Sequence, residues 1–373
     1  MNPINNSMDS LLSKILASGG TSDFYSFSNA DGKQWIMPID KLRLAMNLYQ
    51  PSSIKGIFLK RWLPLLHHFH LVRKVLHIKE SHYKLNPKIF HLLCELFDVS
   101  FFDFAIFGGT PSARQKITIQ ISIRNNILGY CKLSNHPEVE KLFIKEKKHL
   151  DFLSRRGVQN IPRILYCDQI DNMCLLVQTT RKTCHSKVLH KWSNLHQLYL
   201  DEITQKTLVH LDFLQTDFYK EIAYLKTIAG NYPNKDQSLI LEAISFINEY
   251  YKGQTSYCCF HADFTPWNMF VEKNQLFVFD FEYAKYSFPP YMDRLHFILQ
   301  ILILEKKYST NEMIEYLDKI TERLEEQNIV FPVTLIAYLI HMLSLYSKLN
   351  NGCMDINDNG YVTWMNLIRH YLK

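Results

Sequence analysis

Glycine is scarce in this chain, with 12 Gly among 373 residues against 24 Phe and 21 Tyr. So few glycines exclude an abundance of loops that approach a ligand by backbone alone, and the position of each glycine becomes informative. The eight cysteines form no C-x-x-C pair, and no basic stretch followed by an apolar core stands at the N-terminus. From these two absences we expect a protein of the reducing cytoplasm.

Long apolar runs and repeats are also missing. The longest apolar run, Leu295 to Leu304, is interrupted by His296 and Gln300 and is too short for the ~30 Å hydrocarbon layer of a bilayer. Hydrophobic residues make up 47% and charged residues 21% of the chain, which excludes a disordered chain and a coiled coil. The length is that of two or three ordinary domains.

Positive charge is concentrated in one segment. The net charge of the chain is +6, but residues 41–88 contain ten Lys or Arg and a single acid, Glu80, so this segment carries +9 and the remainder about −3. Residues 58–70 also combine basic and aromatic side chains, and the favoured interpretation is a solvated helix packed on the small lobe. Peripheral contact with an anionic membrane or an anionic glycan is the alternative. Nucleic acid is not an expected partner, because no recognised binding module is present.

The periodicity of apolar residues divides the chain into three parts. Residues 1–100 are predicted to be a basic, aromatic region of unknown role, loosely held up to about residue 30 and mainly helical afterwards. Residues 101–180 contain alternating strand patterns such as 117–123, a second strand 127–133, a helix 138–156 and a third strand 173–178. Residues 181–373 are mostly helical, with a hairpin near 269–279. The sequence therefore predicts an α+β fold with a small antiparallel-sheet lobe, a larger helical lobe and an extra N-terminal region.

One segment combines three polar residues at fixed spacing. His261, Asp263 and Asn268 follow the pattern H-x-D-x-x-x-x-N, and Asp280 comes twelve residues later, after a predicted strand. Enzymes that transfer a phosphoryl group from ATP have this spacing. A carboxylate such as Asp263 can orient the acceptor hydroxyl and take its proton, while Asn268 and Asp280 offer hard oxygen ligands to Mg²⁺. We expect His261 to hold the shape of the loop. The alternative is a buried loop whose Asp and Asn cap backbone groups.

Two further residues are predicted to form an ion pair. Glu146 shares the apolar stripe of the predicted helix 138–156, where an unpaired carboxylate would be expensive. Lys132, at the end of the preceding strand, is the natural partner, and such a pair grips the phosphates of ATP in kinases. The alternative is a surface Lys132, with Glu146 turned outward to Lys147 or Lys148.

The rest of a nucleotide site is predicted from position along the chain. Gly108 and Gly109 form a turn between two strands where a nucleotide-covering turn is expected, although hairpin turns use the same residues. Gln178 and Thr180 lie where the last strand of the small lobe ends, and we expect this linker to meet the adenine ring. Residues 101–180 are thus the predicted nucleotide-binding lobe, and 181–373 the catalytic and acceptor-binding lobe.

These motifs resemble a known superfamily. The segments His261-Ala-Asp-Phe-Thr-Pro-Trp-Asn, Asp280-Phe-Glu-Tyr-Ala and Pro289-Pro-Tyr-Met-Asp-Arg-Leu-His-Phe are similar to those of aminoglycoside phosphotransferases and choline kinases, which have the protein-kinase-like fold. The resemblance covers about residues 101–300. It implies ATP- and Mg²⁺-dependent phosphorylation of a hydroxyl on a small molecule or glycan, with Asp263 as base. It also implies that Asp293 supports the catalytic loop and that Glu282 reaches a second metal or a cationic acceptor.

Several functional alternatives remain at this point. A role in cell-surface polysaccharide metabolism is one expectation, and a choline or ethanolamine kinase is the alternative within the same reaction class. A kinase-fold binding or scaffold protein without turnover is the alternative from another class. The expected location is cytoplasmic, with a peripheral position at the inner face of the membrane as a variant. The acceptor, the choice of ATP or GTP and the oligomeric state do not follow from the residues.

Overall fold

The protein contains two compact units. The computed structural model describes residues 10–51, 54–112, 114–327 and 329–373, so the part of the predicted lead-in at residues 1–9 lies outside the described residues. The sheet unit consists of the described residues up to 154 together with 159–188 and 270–282. The helical unit consists of residues 155–158, 189–269 and 283–373, except residue 328.

The sheet unit is built on one eight-stranded antiparallel sheet. The strands follow the order β3-β1-β2-β4-β5-β6-β8-β7. Their bounds are β1 Leu16–Ser28, β2 Gln34–Pro38, β3 Lys79–Leu85, β4 Asp103–Phe107, β5 Ile117–Ile123, β6 Asn126–Ser134, β7 Ile164–Ile170 and β8 Met173–Thr179. The strands predicted at 117–123, 127–133 and 173–178 are confirmed. In β5 the alternation of apolar and polar residues matches the strand, because Ile117, Ile119 and Ile121 all point into one core and are fully buried.

Helices accompany this sheet. They are α1 at residues 10–15, α2 Leu42–Ala45, α3 Ile54–Leu66, α4 His70–Val75, α5 Pro87–Phe97 and α6 Pro137–Arg155. The predicted helix 138–156 is therefore confirmed as α6. Its buried stripe contains Val139, Phe143, Leu150 and Leu153, together with Glu146.

The N-terminal residues differ from their prediction in one respect. The lead-in up to residue 30 was expected to be loosely held, and this is wrong for residues 10–28, which form α1 and the long strand β1. Phe24 and Tyr25 of β1 are 1% and 2% exposed. The reason is tertiary, since β1 pairs with β2 and with the distant β3. Helices α2 to α5 agree with the predicted helical character of this region, and the three strands are an addition to it.

The helical unit contains seven helices among its described residues. They are α7 Asn194–Thr207, α8 Asp217–Ile228, α9 Asn234–Tyr250, α10 Met292–Gln300, α11 Thr310–Glu325, α12 Val333–Leu349 and α13 Asn359–Tyr371. Three short strands form a sheet in the order β13-β10-β9, with β9 Val209–Asp212, β10 Gln254–Phe260 and β13 Lys285–Phe288. The α12 helix is at the centre of the core, with Leu335 to Ile340 all fully buried.

A hairpin lies between β10 and β13 along the chain. Its strands are β11 Met269–Glu272 and β12 Gln275–Val278, and most of it belongs to the sheet unit. Lys273 and Asn274 form the two-residue turn with φ of 49° and 58°, as the hairpin turn between right-twisted strands requires. The predicted hairpin is therefore confirmed. The α+β fold class, with a sheet-bearing part and a mainly helical part, is confirmed as well.

Two other expectations concern membranes and thiols. Within the described part of the chain, no helix has the length and apolar character that crossing a membrane would need. All eight cysteines are free thiols.

Candidate active site

A glycine turn joins β4 to β5 in the sheet unit. Gly109 has φ +77°, and a Cβ atom at this position would lie 2.2 Å from the carbonyl oxygen of Lys116. The Gly108 carbonyl accepts a hydrogen bond of 2.7 Å from Gln115 Nε2. The turn therefore folds back on the start of β5 at a distance that only glycine allows. Gly108 and Gly109 lie between two strands, where the sequence predicts them.

The lysine–carboxylate cluster of the sheet unit centres on Lys132. Its Nζ donates to both oxygens of Glu146, at 2.9 and 2.8 Å, and to Oδ1 of Asp280 at 2.7 Å. The predicted Lys132–Glu146 contact is thus confirmed, and the alternative of an outward-facing Glu146 is wrong because this residue is fully buried. The geometry follows from β6 and α6, which are consecutive in sequence and place the two side chains on the same side.

A second ion pair extends the cluster. Lys116, which the sequence analysis missed, donates to Oε2 of Glu282 at 2.5 Å. Oxygens of Glu146, Asp280 and Glu282 all lie within 4.8 Å of one another. Lys116 lies between the glycine turn and β5, immediately before the strand begins, and this position is the signal in the sequence that could have marked it.

Burial and charge act against each other in the lysine–carboxylate cluster. Burial raises the pKa of Glu146, and the neighbouring carboxylates Asp280 and Glu282 raise it further, although Lys132 opposes them. Burial alone would lower the pKa of Lys132, but Asp280, Glu146 and Glu282 raise it above the usual range. Because three carboxylates face two ammonium groups, the cluster carries excess negative charge when all five are ionised. Such a group of hard oxygens suits a divalent cation.

Asp280 has an unusual backbone conformation. Its φ is +70°, in the left-handed region that Asp tolerates better than most side chains. Strain of this kind persists only where surrounding contacts hold it, and the hydrogen bond from Lys132 is one such contact. Asp280 thus leaves the direction of β12 and turns its carboxylate towards the cluster.

The helical unit contains the loop of residues 261–268, which follows β10. Asp293, at the start of α10, accepts the backbone N–H of His261 at 2.8 Å and that of Ala262 at 3.1 Å. The support that the resemblance implies for Asp293 is therefore present. Burial raises the pKa of Asp293 to about 7, while the two backbone N–H groups lower it. His261 accepts the backbone N–H of Asp263 through Nδ1, at 3.2 Å, which agrees with a role in holding the loop.

Asp263 is the exposed carboxylate of this loop. Its side chain is 30% exposed, and Oδ2 accepts a hydrogen bond of 2.6 Å from Nδ2 of Asn268. The same amide nitrogen donates to the Asp263 carbonyl oxygen at 3.0 Å. The short 3-10 turn Pro266–Asn268 brings Asn268 back to the start of the loop.

His296 also contacts Asp263, and its role was not predicted. Its Nε2 lies 3.4 Å from Oδ1 of Asp263, and its Nδ1 lies 3.3 Å from the hydroxyl of Tyr338. His296 is 3% exposed and Tyr338 fully buried. Because α10 runs from Asp293 to His296 in one turn, the two side chains hold the loop at two points.

The predicted linker residues lie at the end of β8. Gln178 is within β8, opposite Tyr130 of β6, and is buried. Thr180 follows the strand, and its Oγ1 accepts the backbone N–H of Lys182 at 3.2 Å. Contact of these residues with an adenine ring stays a prediction.

Comparisons with known proteins give matches in structure alone. No protein-family model matches the chain, and no curated protein sequence matches it significantly. Similar solved structures include a thermostable mutant of aminoglycoside phosphotransferase APH(4)-Ia with ADP and hygromycin B, at TM-score 0.49 and 9% identity over 77% of this chain and 98% of that one. Amicoumacin kinase hAmiN with AMP-PNP and Ca²⁺ has TM-score 0.47 and 12% identity over 76% and 93%.

Wild-type aminoglycoside 2'-phosphotransferase-IIIa with GDP is similar too, with TM-score 0.47 and 10% identity over 77% of this chain and 99% of that one. Aminoglycoside phosphotransferases are thus among the solved structures to which the chain is similar. At these identities and TM-scores, a functional conclusion has to come from the side chains of this chain itself.

Proposed function

We propose that the chain is an ATP- and Mg²⁺-dependent phosphotransferase acting on a hydroxyl group of a small molecule or glycan. The observation that carries the proposal is the geometry of Asp263, a partly exposed carboxylate contacted by Asn268 at one oxygen and by His296 at the other. A carboxylate oriented in this way is suited to take the proton of an acceptor hydroxyl.

The reaction forms one bond and breaks one. The acceptor oxygen bonds to the γ-phosphorus of ATP, the bond from that phosphorus to the bridging oxygen breaks, and ADP leaves with the electron pair. The acceptor proton passes to the Asp263 carboxylate. His261 and Asp293 act through the loop, since their contacts are to its backbone.

The lysine–carboxylate cluster is assigned to the phosphates and the metal. Lys132 is held by Glu146 and kept charged by its carboxylate neighbours, which suits an ammonium group that binds the α- and β-phosphates. The turn at Gly108 and Gly109 is assigned to the covering of the same phosphates, as its position between β4 and β5 predicts, and the linker at Gln178 and Thr180 is assigned to the adenine ring.

The residues present fit Mg²⁺. Both oxygens of Glu146 accept from Lys132, so Asp280 and Glu282 are the ligands of the sheet unit that we assign. Asn268 keeps the ligand role that its spacing predicts. When bound, Mg²⁺ supplies charge neutralisation for the transferred phosphoryl group.

Labelled ATP tests the proposal. The purified chain is incubated with Mg²⁺, γ-labelled ATP and a panel of aminoglycosides, choline, ethanolamine, sugars and a cell-surface glycan extract, and products are detected by mass spectrometry. We expect phosphate gain in a hydroxyl-bearing acceptor. Asp263→Asn should abolish transfer while ATP affinity stays unchanged, and Lys132→Met should weaken ATP binding. The surface variant Glu249→Gln, 80% exposed at its side chain, is the matched control and should behave as wild type.

The same panel separates the alternatives. Transfer to choline or ethanolamine alone would establish the choline-kinase-like alternative, and transfer to the glycan extract would support a polysaccharide role. ATP binding without any product would support a silent binding protein and contradict the proposal. Full transfer by Asp263→Asn would remove Asp263 as the base.

A further inference from the structure

The helices α3 and α4 expose an unusual amount of apolar surface. Between residues 57 and 75 eight large apolar side chains are exposed, by 37% to 75%. They define what we call the 57–75 face: Ile57, Phe58, Trp62, Leu65, Leu66, Phe69, Leu71 and Val75. Single exposed apolar side chains are ordinary, but eight of them within nineteen residues indicate an interaction surface.

The α3 helix is apolar on two sides, which lie about 110° apart on a helical projection. Leu63, 2% exposed, and the half-buried Leu59 pack into a cluster with Trp35 and Tyr49. Phe58, Trp62 and Leu65 follow the helical spacing of four and three residues on the other side. The first side packs against the core of the sheet unit, whereas Phe58, Trp62 and Leu65 on the second side remain 44% to 64% exposed.

Cations border the exposed side. On a helical projection Lys55 lies on one flank of the Phe58–Leu65 stripe and Arg61 on the other, each about 60° away. Lys74 follows on α4, and no acidic residue occurs from Lys41 to Lys79. The face is therefore apolar in the middle and positive at its edges.

Hydrogen bonds to other elements of the sheet unit hold the turn between α3 and α4. Buried His67 accepts from, or donates to, the Tyr25 hydroxyl at 3.2 Å, and Arg73 donates to the carbonyls of His67 and His68 at 3.0 and 3.3 Å. Arg73 also contacts Glu80 at 3.2 Å, which neutralises the single acid of the segment. Phe69 is thus presented on an ordered turn.

We propose that the 57–75 face binds the surface of an anionic lipid bilayer. Aromatic and aliphatic side chains enter the boundary between headgroups and acyl chains, while Lys55, Arg61 and Lys74 contact anionic headgroups. Charge complementarity favours this partner, because a second copy of the chain would set the same cations against each other. The inference goes beyond the proposed function and is independent of it: it concerns where the protein binds, not what it phosphorylates.

Vesicle binding tests the inference. The full chain is mixed with vesicles of phosphatidylcholine, or of phosphatidylcholine and phosphatidylglycerol, and bound protein is measured by flotation. We expect binding to the anionic vesicles that weakens with salt. Phe58→Ser with Leu65→Ser should lower the partition coefficient about tenfold or more, and Lys55→Glu with Arg61→Glu should do the same for anionic vesicles. Leu198→Ala with Leu214→Ala, exposed leucines of the helical unit, form the matched control and should bind as wild type.

Trp62 gives a direct readout of insertion. Its emission, taken as the difference between wild type and Trp62→Phe, should shift to the blue and be quenched by brominated lipid only with anionic vesicles. Thermal unfolding confirms that the exposed substitutions leave the fold intact. The inference is overturned if no vesicle binds, if the Phe58–Leu65 variant binds equally, or if that variant instead abolishes self-association or capture of a protein partner.

Discussion

The carboxylate of Asp263 has a neighbour outside its own motif. His296 approaches Oδ1 at 3.4 Å and is itself backed by Tyr338. Because both residues are buried, the imidazole can rotate little, and it limits the rotamers open to Asp263. We therefore treat His296 as a positioning residue for the proposed base.

His296→Leu should lower kcat about tenfold to a hundredfold without changing the KM for ATP, since it misorients the base and leaves ATP contacts intact. His296→Gln keeps an N–H donor in place and should retain more of the activity. Steady-state kinetics with the acceptor found above give the measurement. A fall in ATP affinity equal to the fall in kcat would show a merely structural role, and the exposed-site control His210→Gln should leave both parameters unchanged.

The residues of the site differ in how well local sequence patterns predict them. Asp263, Asn268 and Asp280 follow from spacing within twenty residues, and Glu146 follows from a carboxylate placed on an apolar stripe. The partners of Lys116 and His296 do not follow from local spacing, because Glu282 and Asp263 are distant from them along the chain.

The turn between β4 and β5 depends on one glycine. At Gly109 a methyl group would meet the Lys116 carbonyl at 2.2 Å, whereas at Gly253, with φ +86°, nothing lies within 4 Å. The two positions share a left-handed backbone and differ in free space.

Gly109→Ala should therefore cost about 3 kcal/mol of unfolding free energy or more, from clash and backbone strain together. Gly253→Ala should cost about 1 kcal/mol, from strain alone. Urea unfolding measures the loss of unfolding free energy in each variant. Hydrogen exchange at the amides of β4 and β5 should increase only in Gly109→Ala. Equal costs at the two positions would contradict the close approach.

Strands and helices were predictable where the pattern is local. The alternation of β5 and the stripe of α6 are complete within one element, so no partner is needed to detect them. The polar segment of β1 has no comparable pattern, and its strand structure comes from pairing with β3, about sixty residues away.

Acid should destabilise the whole chain through a buried network in the helical unit. Glu221 of α8 contacts Lys285, Lys348 and Ser344, and the two lysines lower its pKa despite its burial. Burial also lowers the pKa of His341, from its ordinary 6.5 to about 3, because no described residue gives its ring a hydrogen bond.

For both His341 and Glu221, the free energy of unfolding decreases as the pH decreases. Below pH 6.5 the unfolded chain binds a proton at His341 that the folded chain excludes until about pH 3, so stability falls by up to about 1.4 kcal/mol per pH unit as pH decreases. Glu221 adds a second loss below about pH 4.5, where the unfolded carboxylate takes up a proton.

His341→Leu should therefore flatten the stability curve between pH 6 and 4.5, measured by urea unfolding at each pH. The exposed-site control His210→Leu should keep the wild-type slope. An unchanged slope in His341→Leu would show that this histidine is protonated in the folded protein.

Local spacing in the chain was enough to specify the α+β class, the Asp263 loop and the Lys132–Glu146 contact, because each depends on residues near one another in sequence. Pairing over long distances specified the rest: the three N-terminal strands, the Lys116–Glu282 pair and the contact of His296 with Asp263. The exposed 57–75 face depends on local sequence and on tertiary structure together. Its basic and aromatic residues are visible in the sequence, but which of two apolar sides of α3 is buried depends on the core against which Leu63 packs.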